Sequence, residues 1–165
     1  MKQKELKENF IKYLGEVKWM EEEMLDVLHK EEMKMCEYLN IEMIPILVEN
    51  INEDSRYYIE ENYIAISSRL ILDKTEALKC LIHELRHCYQ LKCVRNNVEN
   101  ELVDLWSYEL KVAHNDINSL VYVELDAYAF TKYIMDKWYK TEVIHPDVLY
   151  EEIIILYINK YLLNK

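Results

Sequence analysis

The run HELRH, residues 83–87, sets His83 and His87 four residues apart with Glu84 directly after the first histidine. On a helix, side chains four apart leave the same face one turn from each other, so two imidazoles reach one tetrahedral ion. The offset of Glu84 swings its carboxylate beside such an ion instead of onto it, where it can take a proton from a metal-held water. With five histidines in 165 residues, the pattern arises by chance in about two of every hundred such chains. Context therefore decides, and the context needed is a helix beneath the motif and a third ligand. Glu124, in VYVELDAYAF on a separate helical stretch, is the best candidate. It shares a face with Ala127 and Tyr128, and the Ala127 methyl lets two helices come close. Three protein ligands leave a fourth position for water, the arrangement of a catalytic zinc site.

Other residues compete for parts of this role. Asp126, Glu109 and His114 are alternative ligands. Cys80 lies one turn before His83, but a thiolate there would favour a closed structural site, and packing is the simpler reading. Tyr122, Tyr128 and His114 are candidates for stabilising an oxyanion. Arg86 and Gln90, four apart, face either solvent or carboxylates across a helix interface, where they would orient ligands. His29 and His145 have no evident partner. Trp19, Trp106 and Trp138 are read as core or helix-contact residues.

The elements that must hold these groups follow from periodicity. Residues 1–39 carry Leu6, Phe10, Tyr13, Leu14, Val17, Met20, Met24, Leu25 and Leu28 at three- and four-residue steps, which predicts one or two amphipathic helices. The run Glu21, Glu22, Glu23 reads as a solvated face. Over 44–71 the sequence turns rich in Ile, Val and Tyr, predicting two or three short antiparallel strands with turns at 52–55 and near 60–62. Asp73 followed by Glu76 has the spacing of a capping box and opens the helix of 73–93 that bears the HELRH run. Helices are expected at about 99–113 and 119–139. A last one over 146–163 has Pro146 in its first turn and enough apolar content to suggest that it is buried. The fold class is α+β, mainly helical, as one domain over 1–165: a small antiparallel sheet of about three strands packed on the motif helix, with further helices on both sides.

Composition limits the function. The formal charge of -11, from 31 acidic against 20 basic residues, comes with no basic cluster to follow phosphates, so nucleic acid is not expected as a partner. One glycine and two prolines exclude glycine-loop phosphate cradles and favour helix. No window resembles a membrane span or a signal peptide, and the expectation is a cytoplasmic protein. The four cysteines form no CxxC pair; Cys80 and Cys88 would lie ~12 Å apart along a helix, too far to bridge, and reduced thiols are expected.

HELRH together with the later E-x-x-A-x-x-F, here Glu124, Ala127 and Phe130, resembles the gluzincin metallopeptidases, in particular the minigluzincins and the ImmA/IrrE-like peptidases of phages and bacteria. The order of elements is similar too: helices, a small sheet, the motif helix, then the helix with the glutamate. The resemblance implies a zincin-like fold and a zinc-dependent peptidase, with His83, His87 and Glu124 as ligands of Zn2+, Glu84 as general base, and a peptide or protein as substrate, in a phage or mobile-element setting. Thermolysin-like members carry an acid four residues after the glutamate, where this chain has Tyr128; its acid is Asp126. In such folds the substrate lies extended along a sheet edge, which points to the strand of 63–67. A catalytically silent metal- or peptide-binding regulator on the same scaffold is the alternative, and an accidental motif in a helical structural protein is a third reading.

Overall fold

The computed structural model describes residues 2–112 and 120–163; His114 lies outside them. The chain divides into two compact units, residues 1–34 with 44–81, and residues 35–43 with 82–165. It is mainly helical with one small sheet, the α+β class expected. Among the described residues no helix is long and apolar enough to cross a membrane.

The first unit contains most of α1 (Lys2–Leu39) and the strands β1 (Ile46–Glu49), β2 (Ser55–Tyr58) and β3 (Tyr63–Ser67). The amphipathic pattern of 1–39 gives a single helix. Met24, Leu28 and Glu32 are buried on one stripe, whereas Phe10, Tyr13 and Leu14 are exposed, and so is Trp19, contrary to the packing expected of it. The buried carboxylate of Glu32 accepts Ile44 N–H at 2.7 Å and lies 3.2 Å from His29 Nδ1, tying α1 to the approach of β1. That contact gives His29 the partner its sequence did not suggest.

The sheet is mixed and not antiparallel as expected, with order β1-β3-β2. β1 runs parallel to β3, with Ile46 opposite Ile64, and β2 runs antiparallel to β3, with Tyr57 opposite Ile64. The reason is topological. The segment 50–54 carries the chain one strand too far outward, and the β2–β3 hairpin turns back to fill the gap. Arg69 holds that segment by donating to Asn52 O at 2.6 Å and to Glu53 O at 3.1 Å. Strand β3 is buried at four successive positions, Ile64 to Ser67, as expected of a strand covered on both faces. Since β3 is flanked on both sides, it offers no free edge to a substrate, and that expectation is withdrawn.

Helix α2 (Lys74–Arg95) begins on Asp73, whose carboxylate accepts Glu76 N–H at 3.0 Å. The reciprocal half of the capping box is missing: Glu76 pairs with Lys79 at 2.8 Å, and Asp73 N–H goes to Leu70 O. Residues 74–81 belong to the first unit and 82–95 to the second.

The second unit adds α3 (Glu101–Val112), α4 (Val121–Tyr139) and α5 (Val148–Tyr157), which continues into a π-turn at Ile158–Leu162. Its core joins Cys93, Leu102, Val103, Trp106, Val123, Leu125, Ala129, Ile154 and Tyr157. Asp147 caps α5 by accepting Tyr150 N–H at 3.0 Å, so Pro146 stands just before the helix and not in its first turn. Nor is α5 buried all round: Ile154 and Tyr157 face the core, while Val148, Leu149 and Leu156 are exposed. In this glycine-poor chain asparagine supplies three of the left-handed turns, with Asn40 ending α1, Asn62 turning the hairpin and Asn97 ending α2, while Lys140 ends α4 in the same conformation.

Candidate metal centre

The centre lies wholly within the second unit. One turn of α2 separates His83 from His87, and their Nε2 atoms are 3.0 Å apart. From α4, Glu124 brings Oε2 to 3.2 Å from His83 Nε2 and Oε1 to 3.3 Å from His87 Nε2. The arrangement can be tested against a real ion. Donors at ~2.0–2.1 Å from a tetrahedral zinc stand ~3.3–3.4 Å from one another; the observed separations of 3.0 to 3.3 Å, each imidazole meeting a different oxygen of Glu124, are at or a little under that. Neutral imidazole with carboxylate is a donor set suited to zinc. Among the described residues no other group of His, Cys, Asp and Glu could hold a metal, and Cys80 and Asp126 are not in this one.

The same closeness shows in the acidities. Burial pulls the His87 imidazole down, but the Glu124 hydrogen bond, the charges of Glu84 and Glu124 and the Gln90 hydrogen bond outweigh it and push the pKa up to about 9. Glu124 is raised by burial, yet the hydrogen bonds and charges of His83 and His87 hold it well below the usual carboxylate range. A divalent ion at the same place would satisfy the carboxylate charge that a protonated His87 answers. Glu84 is buried and close enough for its charge to be felt by His87.

Comparison with family models, with curated proteins and with solved structures found no match. What can be said of the centre therefore rests on its own geometry.

Glu109 is not a ligand. Its buried carboxylate accepts Tyr122 N–H at 2.8 Å and Val123 N–H at 2.9 Å, capping the start of α4 where Leu120 offers no side-chain cap. A carboxylate on α3 thus fixes the turn from which Glu124 projects. Asp126, the other alternative ligand, sits fully buried behind the centre. Arg86 clasps it through Nε at 2.6 Å and Nη2 at 2.9 Å, Gln90 donates to it at 2.7 Å and the Tyr157 hydroxyl at 2.9 Å. The guanidinium lies over the rings of Tyr89 and Phe130, each 4.6 Å away, and of Trp106 at 5.6 Å. Burial and the charge and hydrogen bond of Asp126 keep Tyr157 protonated well above the usual phenol range. Gln90 also donates to Val123 O at 2.9 Å and presents Oε1 to His87 Nδ1 at 2.9 Å. Arg86 and Gln90 therefore face carboxylate and ligand and not solvent, one of the two readings their spacing allowed.

Of the oxyanion candidates, Tyr128 borders the centre, its ring 4.8 Å from that of His83. Tyr122 instead lies within Coulomb reach of Lys160. Two residues that the sequence did not single out for this role stand beside Tyr128. The rings of His145 and Tyr150 are 5.5 Å and 6.0 Å from it and 4.7 Å from each other. Glu151 positions His145 by accepting its N–H at 2.9 Å while pairing with Lys132 at 2.6 Å. His145 Nδ1 accepts Asp147 N–H at 3.1 Å, which leaves Nε2 as the proton-bearing atom of the neutral ring. Tyr150 is pushed up to about 12 by burial and by the nearby charge of Glu124.

Proposed function

We propose that the chain is a zinc-dependent peptidase of gluzincin type, acting on a peptide or protein substrate. The observation that carries this reading is the meeting of His83, His87 and Glu124, from two helices, at separations that suit one tetrahedral ion, with Glu84 next to the first ligand in sequence. A zinc ion bound there would polarise the scissile carbonyl and bring the pKa of a held water towards ~7. Glu84 is the general base: it takes the proton of the attacking water and returns it to the leaving amine. His145, donating from Nε2, and Tyr150, kept protonated at neutral pH, both beside Tyr128, are the candidates for hydrogen-bonding the oxygen on which negative charge builds.

Two measurements test this. Purified protein is expected to hold about one zinc per chain, at the site of three protein ligands, and to cleave members of a peptide library. The variant Glu84→Gln is expected to keep the zinc and lose cleavage. Absence of zinc, or a Glu84→Gln variant as active as the parent, would overturn the reading.

A further inference from the structure

We infer that Gln90 is a positioning residue that fixes the tautomer of His87, so that Nε2 is the one lone pair this ligand offers to a cation. The inference rests on the metal-holding part of the proposed function and does not depend on hydrolysis.

The orientation of the Gln90 amide decides the matter. Its Nε2 is shared between Val123 O at 2.9 Å and Asp126 Oδ2 at 2.7 Å. Both of those atoms only accept, so the amide must present its two N–H groups to them; turned the other way, its oxygen would face two oxygens. Oε1 is then the atom that meets His87 Nδ1 at 2.9 Å, and it can only accept. The proton of His87 that this contact requires sits on Nδ1. The lone pair of the neutral ring is on Nε2, the atom that faces His83 and Glu124.

What holds Gln90 is itself held. Asp126 accepts four hydrogen bonds on two oxygens, two from Arg86 and one each from Gln90 and Tyr157, and its side chain has no solvent exposure. Arg86 in turn is flanked by three aromatic rings. Choosing the His87 tautomer thus depends on a buried chain from α5 through α4 to α2. The His83 ring, by contrast, rests against Tyr128.

The test uses the full chain, with histidine carrying the heavy nitrogen isotope and with zinc as the probe. Long-range nitrogen–proton correlation of the zinc-loaded parent is expected to show His87 protonated on Nδ1 and coordinated through Nε2. Gln90→Met fills the same space without an acceptor and is expected to weaken zinc binding ~10–100-fold in chelator competition. In zinc-loaded Gln90→Met the His87 Nδ1–H signal, its acceptor gone, is expected to move upfield while the His83 signals stay in place. Coordination of His87 through Nδ1 in the parent would overturn the inference, as would a Gln90→Met affinity within about threefold of the parent or an unmoved His87 Nδ1–H signal. Should Gln90→Met fail to fold, the parent spectrum still decides. A parent chain that takes up no zinc would sink the proposed function and this inference together; a parent that binds zinc while Gln90→Met matches it would sink this inference alone.

Discussion

Replacing Asp126 by alanine in the metal-free protein removes one acidic side chain and strands four donors: two on Arg86, one on Gln90 and one on Tyr157. The largest consequence falls on Arg86, a buried guanidinium left without its counter-charge. Breaking a buried pair from one side costs ~3–5 kcal/mol. The rings of Tyr89, Phe130 and Trp106 remain over the cation and offset part of this, at ~0.5–2 kcal/mol per contact. The lower end, ~3 kcal/mol, is therefore expected, equivalent to a fall in Tm of ~6–12 °C for a chain of this size. A urea titration reads it as a lower midpoint at unchanged slope. The double variant Arg86→Met with Asp126→Leu strands the same Gln90 and Tyr157 donors but leaves no orphaned charge, so it is expected to be more stable than Asp126→Ala by at least ~1 kcal/mol. If Asp126→Ala unfolds within ~1 kcal/mol of the parent, or if the double variant is no better than the single, Arg86 and Asp126 are not coupled as described.

Glu109→Ala uncaps α4 and is expected to cost ~0.5–2 kcal/mol in thermal unfolding; it should also weaken zinc retention, because Glu124 projects from the turn that Glu109 holds. Tyr150→Phe is expected to lower kcat ~100- to 1000-fold with zinc retained, and an unchanged kcat would remove Tyr150 from the reaction. The metal-free protein has a pH signature in His87: its folded pKa of about 9 lies above its ordinary 6.5, so its contribution to stability is complete below ~6.5 and is lost as pH rises through about 9. Zinc replaces the proton, so added zinc should stabilise the chain increasingly over the same range; equal pH profiles for the metal-free parent and His87→Ala would contradict this.

The parts of this molecule that are legible in its sequence are the local ones. His83 and His87 can be paired because four residues on a helix fix their relation without any tertiary contact, and Asp73 marks the start of α2 because a cap acts over three residues. Glu124 is found through a helical face that also carries Ala127, which is fully buried. What escapes is non-local. The direction of β1 relative to β3 depends on which neighbour fills a gap, and alternation in Ile, Val and Tyr carries no record of that. Glu109 reads as one acid among many until its carboxylate meets the open end of another helix. Tyr157 and Tyr150 are two of 14 tyrosines; only their position separates a phenol that holds Asp126 from one that stands beside Tyr128 and His145. The apolar content of α5 suggests burial on every side, but a helix facing one core needs only a stripe, and Ile154 and Tyr157 are on it.

The four bonds received by Asp126 also govern how the second unit can come apart. Because one carboxylate is shared by α2, α4 and α5, none of the three can fray through this point alone; lifting α5 takes the Tyr157 donor with it and weakens the grip on the other two. Backbone amides around Arg86, Asp126 and Tyr157 should accordingly exchange with solvent through a single concerted opening, at one common rate, and not helix by helix.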